Sequence, residues 1–165
     1  MTETERKSPG QIILGWWSTA LADPQSGAAR GLAARLRQAT PASALAEPAV
    51  HDLAARLGLQ RHDAACLAML ARLLAELREH RPEPLARRLG GADPILSNLR
   101  FQRLMRAEGE ELYDALRRAI GVAEGRCNVA ALGQDILHWN DKTRMTWCFN
   151  YFGENAPQTE KTELP

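Results

Sequence analysis

Residues 63–80 read DAACLAMLARLLAELREH. Leu67, Leu70, Leu73, Leu74 and Leu77 recur at intervals of three and four, so they form one stripe along an α-helix. Asp63 stands where an N-cap is wanted. The pattern predicts a helix over 63–80, interrupted afterwards by Pro82 and Pro84. The segment has no alternation of period two that would favour a strand.

The rest of the chain has the same character. Alanine and leucine number 50, whereas valine and isoleucine number 8. Methyl and straight-chain side chains lose little freedom in a helix, while β-branched ones suit a pleated surface, so an all-α fold is expected with essentially no β-sheet. With 45% apolar and 25% charged residues the balance is that of a globular protein. A chain of 165 residues can bury a core without a disulfide or metal staple.

Helices are expected on either side. Gln11 to Ala22 carries Ile12, Ile13, Trp16, Ala20 and Leu21 on one face and stops at Asp23-Pro24. Gly27 to Ala39 follows, and then a helix from Pro48 through Val50, Leu53 and Leu57, with Gly58 as its C-cap. A short turn runs through Leu85 and Leu89. Gly90-Gly91-Ala92-Asp93-Pro94 reads as a hinge. Beyond it, Asp93 is expected to cap a helix containing Leu96, Leu99, Leu104 and Met105, followed by one over Glu110–Ile120. Asn128 caps a third helix through Val129, Leu132, Ile136 and Trp139, and Asp141 a fourth over Lys142–Phe152 that Gly153 can end. The expected architecture is two small helical bundles, residues 11–89 and 94–153, joined by that Gly/Pro-containing hinge. Residues 1–10 and 154–165 are expected to be flexible tails.

Cys66, Cys127 and Cys148 are an odd number with no CxxC pair, no stretch resembles a signal peptide, and no run approaches a membrane span. A cytoplasmic protein with reduced thiols is expected. Nothing supports catalysis, a metal or a cofactor. His51, His62, His80 and His138 show no ligand spacing beyond His62 and Cys66 at i, i+4, and two unlike ligands do not make a site. Glu110 and Glu111 are adjacent and diverge on a helix.

The basic residues are more informative. Of 21, 18 are arginine, whose planar fork fits phosphate, although a GC-rich genome inflates Arg and Ala alike. Arg100, Arg103 and Arg106 recur every three residues, each about 60° round from the last, and together line a broad helical strip. Arg117-Arg118 lies on the next helix, and Arg35 and Arg37 on an acid-free one. Such a strip could follow a phosphate backbone without reading bases. It could equally be a solvated charged face, neutralised in part by Asp114 four residues before Arg118 and by Glu108 beside Arg106. Arg144 could instead stack over Trp147 and Tyr151. Trp139, Trp147, Phe149, Tyr151 and Phe152 are expected to pack in the core. Of the adjacent Trp16 and Trp17, one is expected inside and the other as an exposed interface anchor. The net charge of +1 excludes a uniformly basic binder but not charges sorted onto separate faces.

The series Asn98-Leu99-Arg100-Phe101-Gln102-Arg103-Leu104-Met105-Arg106-Ala107, then Leu116-Arg117-Arg118-Ala119-Ile120, Trp139-Asn140 and Arg144 to Phe152, resembles the CasB family. Members of that family are the small subunit of the type I-E CRISPR Cascade surveillance complex. Trp16-Trp17 and Ala33 to Arg37 also fit, whereas residues 40–62 match nothing in the family. The resemblance implies an all-helical, two-part, non-catalytic protein. It further implies backbone and large Cascade subunits and a second copy of itself as partners. DNA strands of the R-loop, with guide RNA as a further candidate, complete that set; no membrane or small-molecule substrate is implied. The nucleic-acid contacts carried over are Arg35, Arg37, Arg100, Arg103, Arg106, Arg117, Arg118, Lys142 and Arg144. Two other classes stay open: a helical adaptor that binds only protein, and a small helix-turn-helix regulator, for which the Ala-Leu-rich helices offer few base-reading side chains.

Overall fold

The computed structural model describes residues 7–153. Ten α-helices follow one another among these residues: α1 (Pro9–Ala20), α2 (Gly27–Arg37), α3 (Pro41–Leu45), α4 (Pro48–Leu57), α5 (Ala64–Leu74), α6 (Leu85–Leu89), α7 (Asn98–Arg106), α8 (Gly109–Val122), α9 (Val129–Leu137) and α10 (Asp141–Phe152). Two two-residue strands, β1 (Glu79–His80) and β2 (Arg126–Cys127), pair in parallel. The all-α reading holds.

The boundaries show where local signals prevailed and where packing overrode them. Gly58 and Gly153 adopt left-handed conformations and end α4 and α10 as expected, and the Asn128 side chain accepts the Ala131 N–H. The first helix begins earlier than expected, because Ser8 and Gln11 form a capping box and Pro9 sits at the first helical position; residues 8–10 are therefore not tail. The expected tails at 1–6 and 154–165 lie outside the described residues. Ser97 rather than Asp93 caps α7, and Asn140 rather than Asp141 caps α10. Asp63 precedes α5 but turns its carboxylate back to the Gln60 N–H, closing a short 3-10 turn at Arg61–Asp63.

The largest correction concerns the segment that decides the fold. α5 stops at Leu74 instead of His80. Glu76 and Leu77 donate back into a tight turn, Arg78 and Glu79 donate to the Gly125 carbonyl, and Arg81 donates to that of Cys127. His80 Nδ1 accepts the Val129 N–H at 3.1 Å, satisfying a donor at the start of α9. The leucine stripe continues through this turn, since Leu77 is buried. Tertiary pairing, invisible in the pattern, converts the end of the helix into a strand.

Packing crosses the 90–94 stretch. One hydrophobic cluster takes Ile13, Trp16 and Leu36 together with Leu116, Val129 and Ile136. α1 lies against α9, where a side chain at Gly133 would come within 2.7 Å of Ile13 Cγ2. Gly90, read as part of a hinge, is a point of close approach: a Cβ there would sit 1.9 Å from the Tyr151 carbonyl oxygen, and the Gly91 N–H donates to that oxygen at 2.8 Å. Trp16 and Trp17 are both buried, which corrects the expectation that one is exposed. Their indole N–H groups donate to the carbonyls of Ala49 and Leu74, so each polar tip is satisfied inside.

Candidate nucleic-acid interface

α7 is strongly two-faced. Phe101 and Leu104 are buried, which leaves Arg100, Arg103 and Arg106 on the outside. The helix is locked in rotation by Phe101, whose ring stacks on Tyr151 at 3.9 Å between centroids and 4° between planes. The Tyr151 hydroxyl bonds the Leu96 carbonyl and lies 3.0 Å from Asn98 Oδ1, so α10 also holds the start of α7.

α8 buries Leu112, Leu116, Ala119 and Ile120 and turns Arg118 toward α7. A depression of about 250 Å³ is lined by Arg100, Arg103, Arg118 and Val122. It adjoins a second of about 340 Å³, lined by Arg103, Arg106, Glu111, Asp114 and Arg118. Arg103 and Arg118 belong to both, so the two make one groove. None of its four arginines forms an ion pair among the described residues. The neutralisation expected from Asp114 does not occur as an ion pair with Arg118, although both line the groove. Four unpaired forks facing two carboxylates make an exposed site able to accept anionic oxygens bidentately.

The other sequence-derived residues are placed elsewhere. Arg35 forks onto Glu47 at 2.8 and 3.1 Å; that hydrogen bond raises the Arg35 pKa and holds the Glu47 carboxyl below its ordinary range. Arg117 turns away from the groove to pair with Glu76 at 3.0 Å. Arg37 donates to the Ala75 carbonyl, and Lys142 is exposed in the first turn of α10. Arg144 is mostly covered. It pairs with Asp141 at 3.2 Å and lies 6.0 Å from the Trp139 ring, not over Trp147 or Tyr151. Trp147 meets Trp139 edge-on and donates to Asp135 at 2.8 Å. Phe149 and Phe152, expected in the core, are 59% and 57% exposed; with Met145 they form an outward stripe on α10.

Among the described residues no group of three or more His, Cys, Asp or Glu could hold a metal ion, and no helix is long and apolar enough to cross a membrane. The cysteines are free. Burial pushes the Cys66 thiol up and that of Cys127 up to about 12, which disfavours the reactive thiolate.

Residues 27–152 match the family CRISPR-associated protein Cse2. The chain belongs to the Cse2 family. The CasB resemblance is borne out with it: this Cse2 chain is similar to CasB from Thermus thermophilus, with a TM-score of 0.73, 25% identity, and coverage of 89% of this chain and 99% of that one. A chain in the crystal structure of E. coli Cascade bound to a PAM-containing double-stranded DNA target shares the fold, with a TM-score of 0.60, 18% identity and coverage of 86% and 91%. No curated protein sequence matches the chain. In this Cse2 protein the arginine spacing on α7 was legible in advance. Which of Arg117 and Arg118 joins it was not, because neighbouring residues on a helix face about 100° apart and only the packing of α8 decides between them.

Proposed function

We propose that this Cse2 protein is a non-catalytic small subunit of a type I-E Cascade complex, and that its α7–α8 groove holds phosphodiester backbone of the R-loop without reading sequence. One observation carries the reading: Arg100, Arg103, Arg106 and Arg118 converge on one exposed groove with no ion pair to occupy them. The similar fold of a chain in DNA-bound E. coli Cascade supports it. Exchanging a DNA duplex for a guide–target heteroduplex is nearly balanced in energy, so modest backbone contacts can tip it. Arg35, Arg37, Arg117, Lys142 and Arg144 would contribute secondary contacts, weakened where a carboxylate already holds them. The backbone and large subunits, a second copy and the guide RNA would be its neighbours, in the cytoplasm.

The test replaces Arg100, Arg103 and Arg106 together by Ala in the assembled complex. Exposed substitutions of this kind shift stability by within about 0.5 kcal/mol, so the subunit should fold and incorporate. The slope of log affinity against log salt should become shallower by about 2 to 3 units, from roughly 0.7 to 0.9 per lost contact. The loss should be equal for all DNA sequences. An unchanged slope with the variant incorporated overturns the groove as a phosphate site. The protein-only adaptor reading draws on the exposed stripe Met145, Phe149 and Phe152, and predicts that unchanged slope.

A further inference from the structure

The groove between α7 and α8 changes character along its length. One depression holds Arg100, Arg103 and Arg118 beside Leu96, Leu104 and Val122, with no carboxylate. The other reaches Ala107 in the turn between the helices and holds Arg103, Arg106 and Arg118 against Glu111 and Asp114. Arg100 thus belongs only to the carboxylate-free half, and Arg106 only to the half that holds both acids. On α8, Glu111, Asp114, Arg118 and Val122 follow at steps of three and four. The change from anionic to cationic to apolar therefore lies along one helix face, within about 16 Å.

Duties within the helix do not account for both acids. Each is exposed, and neither forms an ion pair among the described residues, unlike Glu110, which Arg72 holds. Glu111 lies in the first turn of α8 and complements the helix dipole, but that effect fades within one turn and does not reach Asp114. Asp114 stands four residues before Arg118, the spacing of a helix-surface pair, yet the two are not joined. What the acids share is the groove, where they place two negative charges at one end of a cationic strip.

We infer that Glu111 and Asp114 determine where a phosphodiester backbone sits in this groove: they repel it from the Arg106 end and confine it to Arg100, Arg103 and Arg118. This rests on the groove being a phosphate site. A strip of like cations lets a backbone slide along it, and two fixed anions at one end supply a stop. Arg106 then offsets the charge of the acids instead of meeting phosphate. The triple variant Arg100→Ala/Arg103→Ala/Arg106→Ala accordingly loses two contacts, not three.

A double-mutant cycle in the assembled complex tests the stop, read as the slope of log affinity for target DNA against log salt. In the parent, Arg100→Ala should make the slope shallower by about 0.7 to 0.9, and Arg106→Ala should leave it unchanged. Glu111→Gln/Asp114→Asn should raise affinity at low salt by about fivefold per acid, the factor for unit charges about 4 Å apart in water. It should also steepen the slope by one contact, and in that background Arg106→Ala should now cost about 0.7 to 0.9. Asp23→Asn/Glu83→Gln removes two carboxylates outside the groove lining and should do none of this. An Arg106→Ala effect of equal size in both backgrounds overturns the stop and leaves the groove standing. So does a gain from Asp23→Asn/Glu83→Gln as large as that from Glu111→Gln/Asp114→Asn. If Arg100→Ala and Arg118→Ala are silent in both backgrounds, the groove falls and the stop with it.

Discussion

Arg72, only 6% exposed, forks onto the carboxylate of the solvent-facing Glu110 at 3.1 and 3.3 Å. Its Nε–H donates to the Ala39 carbonyl at 3.0 Å, and its guanidinium carbon lies 3.6 Å from the centre of the Tyr113 ring. One buried cation thereby ties α5 to α8 and to the turn after α2. A charge so far inside is tolerable only when its donors are matched, and here a backbone carbonyl, an aromatic face and a carboxylate match them.

Removing only the counter-charge should therefore be worse than removing both partners. Glu110→Ala is expected to cost about 1–3 kcal/mol, because it leaves a buried guanidinium without its anion. Adding Arg72→Met should recover part of that loss, since an apolar side chain of similar length needs no partner. Denaturant unfolding of the parent, the single variant and the double variant measures both steps. A silent Glu110→Ala would show that solvent already does the work assigned to the carboxylate.

Gly90 and Gly91 are neighbours with opposite demands. At Gly90 φ is negative, at −108°, but the carbonyl of Tyr151 leaves no room for a Cβ. At Gly91 there is room, but φ is +89°. Gly90→Ala should cost at least about 3 kcal/mol, since fixed backbone cannot yield as a side chain does. Gly91→Ala should cost about 1–2 kcal/mol, as strain at a left-handed position. Thermal unfolding of the two variants should rank them in that order, and the reverse order would remove Tyr151 as the reason for Gly90.

The sequence made these elements legible to different depths. Helix content and the buried faces of α5, α8 and α9 follow from spacing, because burial of an apolar stripe determines the period directly. The Arg strip on α7 was visible from its spacing of three, but the apolar face beneath it was misread: Leu99, expected among the apolar positions, is exposed, and Phe101 is buried beside Leu104 instead. Distant pairings left no such trace. Nothing in Arg78-Glu79-His80 announces Arg126-Cys127 as a strand partner, and Gly90-Gly91 looks the same in composition whether it swings freely or presses on Tyr151. Arg144 was misplaced because its partners depend on how Trp139 and Trp147 stack, which spacing along one helix does not determine.

Arg117 and Arg118 provide a test within one dipeptide. Arg118 faces the groove without an ion pair, while Arg117 is held by Glu76. Arg118→Ala should make the salt slope of the assembled complex shallower by about 0.7 to 0.9. Arg117→Ala should change it by less, because its charge is partly spent on a carboxylate. Equal effects would mean that the two cations act through overall charge and that the groove geometry is irrelevant.

Asp135 gives a prediction whose sign depends on pH. Burial raises its carboxyl above the ordinary range, more strongly than the Trp147 indole N–H and the nearby His138 lower it. Between the unfolded and folded pKa values the native state holds more protons than the unfolded chain, so stability falls as pH rises through that window. Above that window the native protein therefore carries the whole penalty of this buried charge. Asp135→Asn keeps an oxygen to accept the Trp147 N–H and removes the charge. It should raise the melting temperature near neutral pH, and the gain should shrink to nothing as the pH drops through the carboxylate range and the parent Asp135 becomes neutral too. Glu47 and Glu79, whose pKa values are lowered by arginine hydrogen bonds, lose stability on acidification in parent and variant alike, so they cancel in the difference. Parallel melting curves across that pH range decide the matter: a variant less stable than the parent at neutral pH would mean that the ionised carboxylate, through Trp147, stabilises this part of the fold.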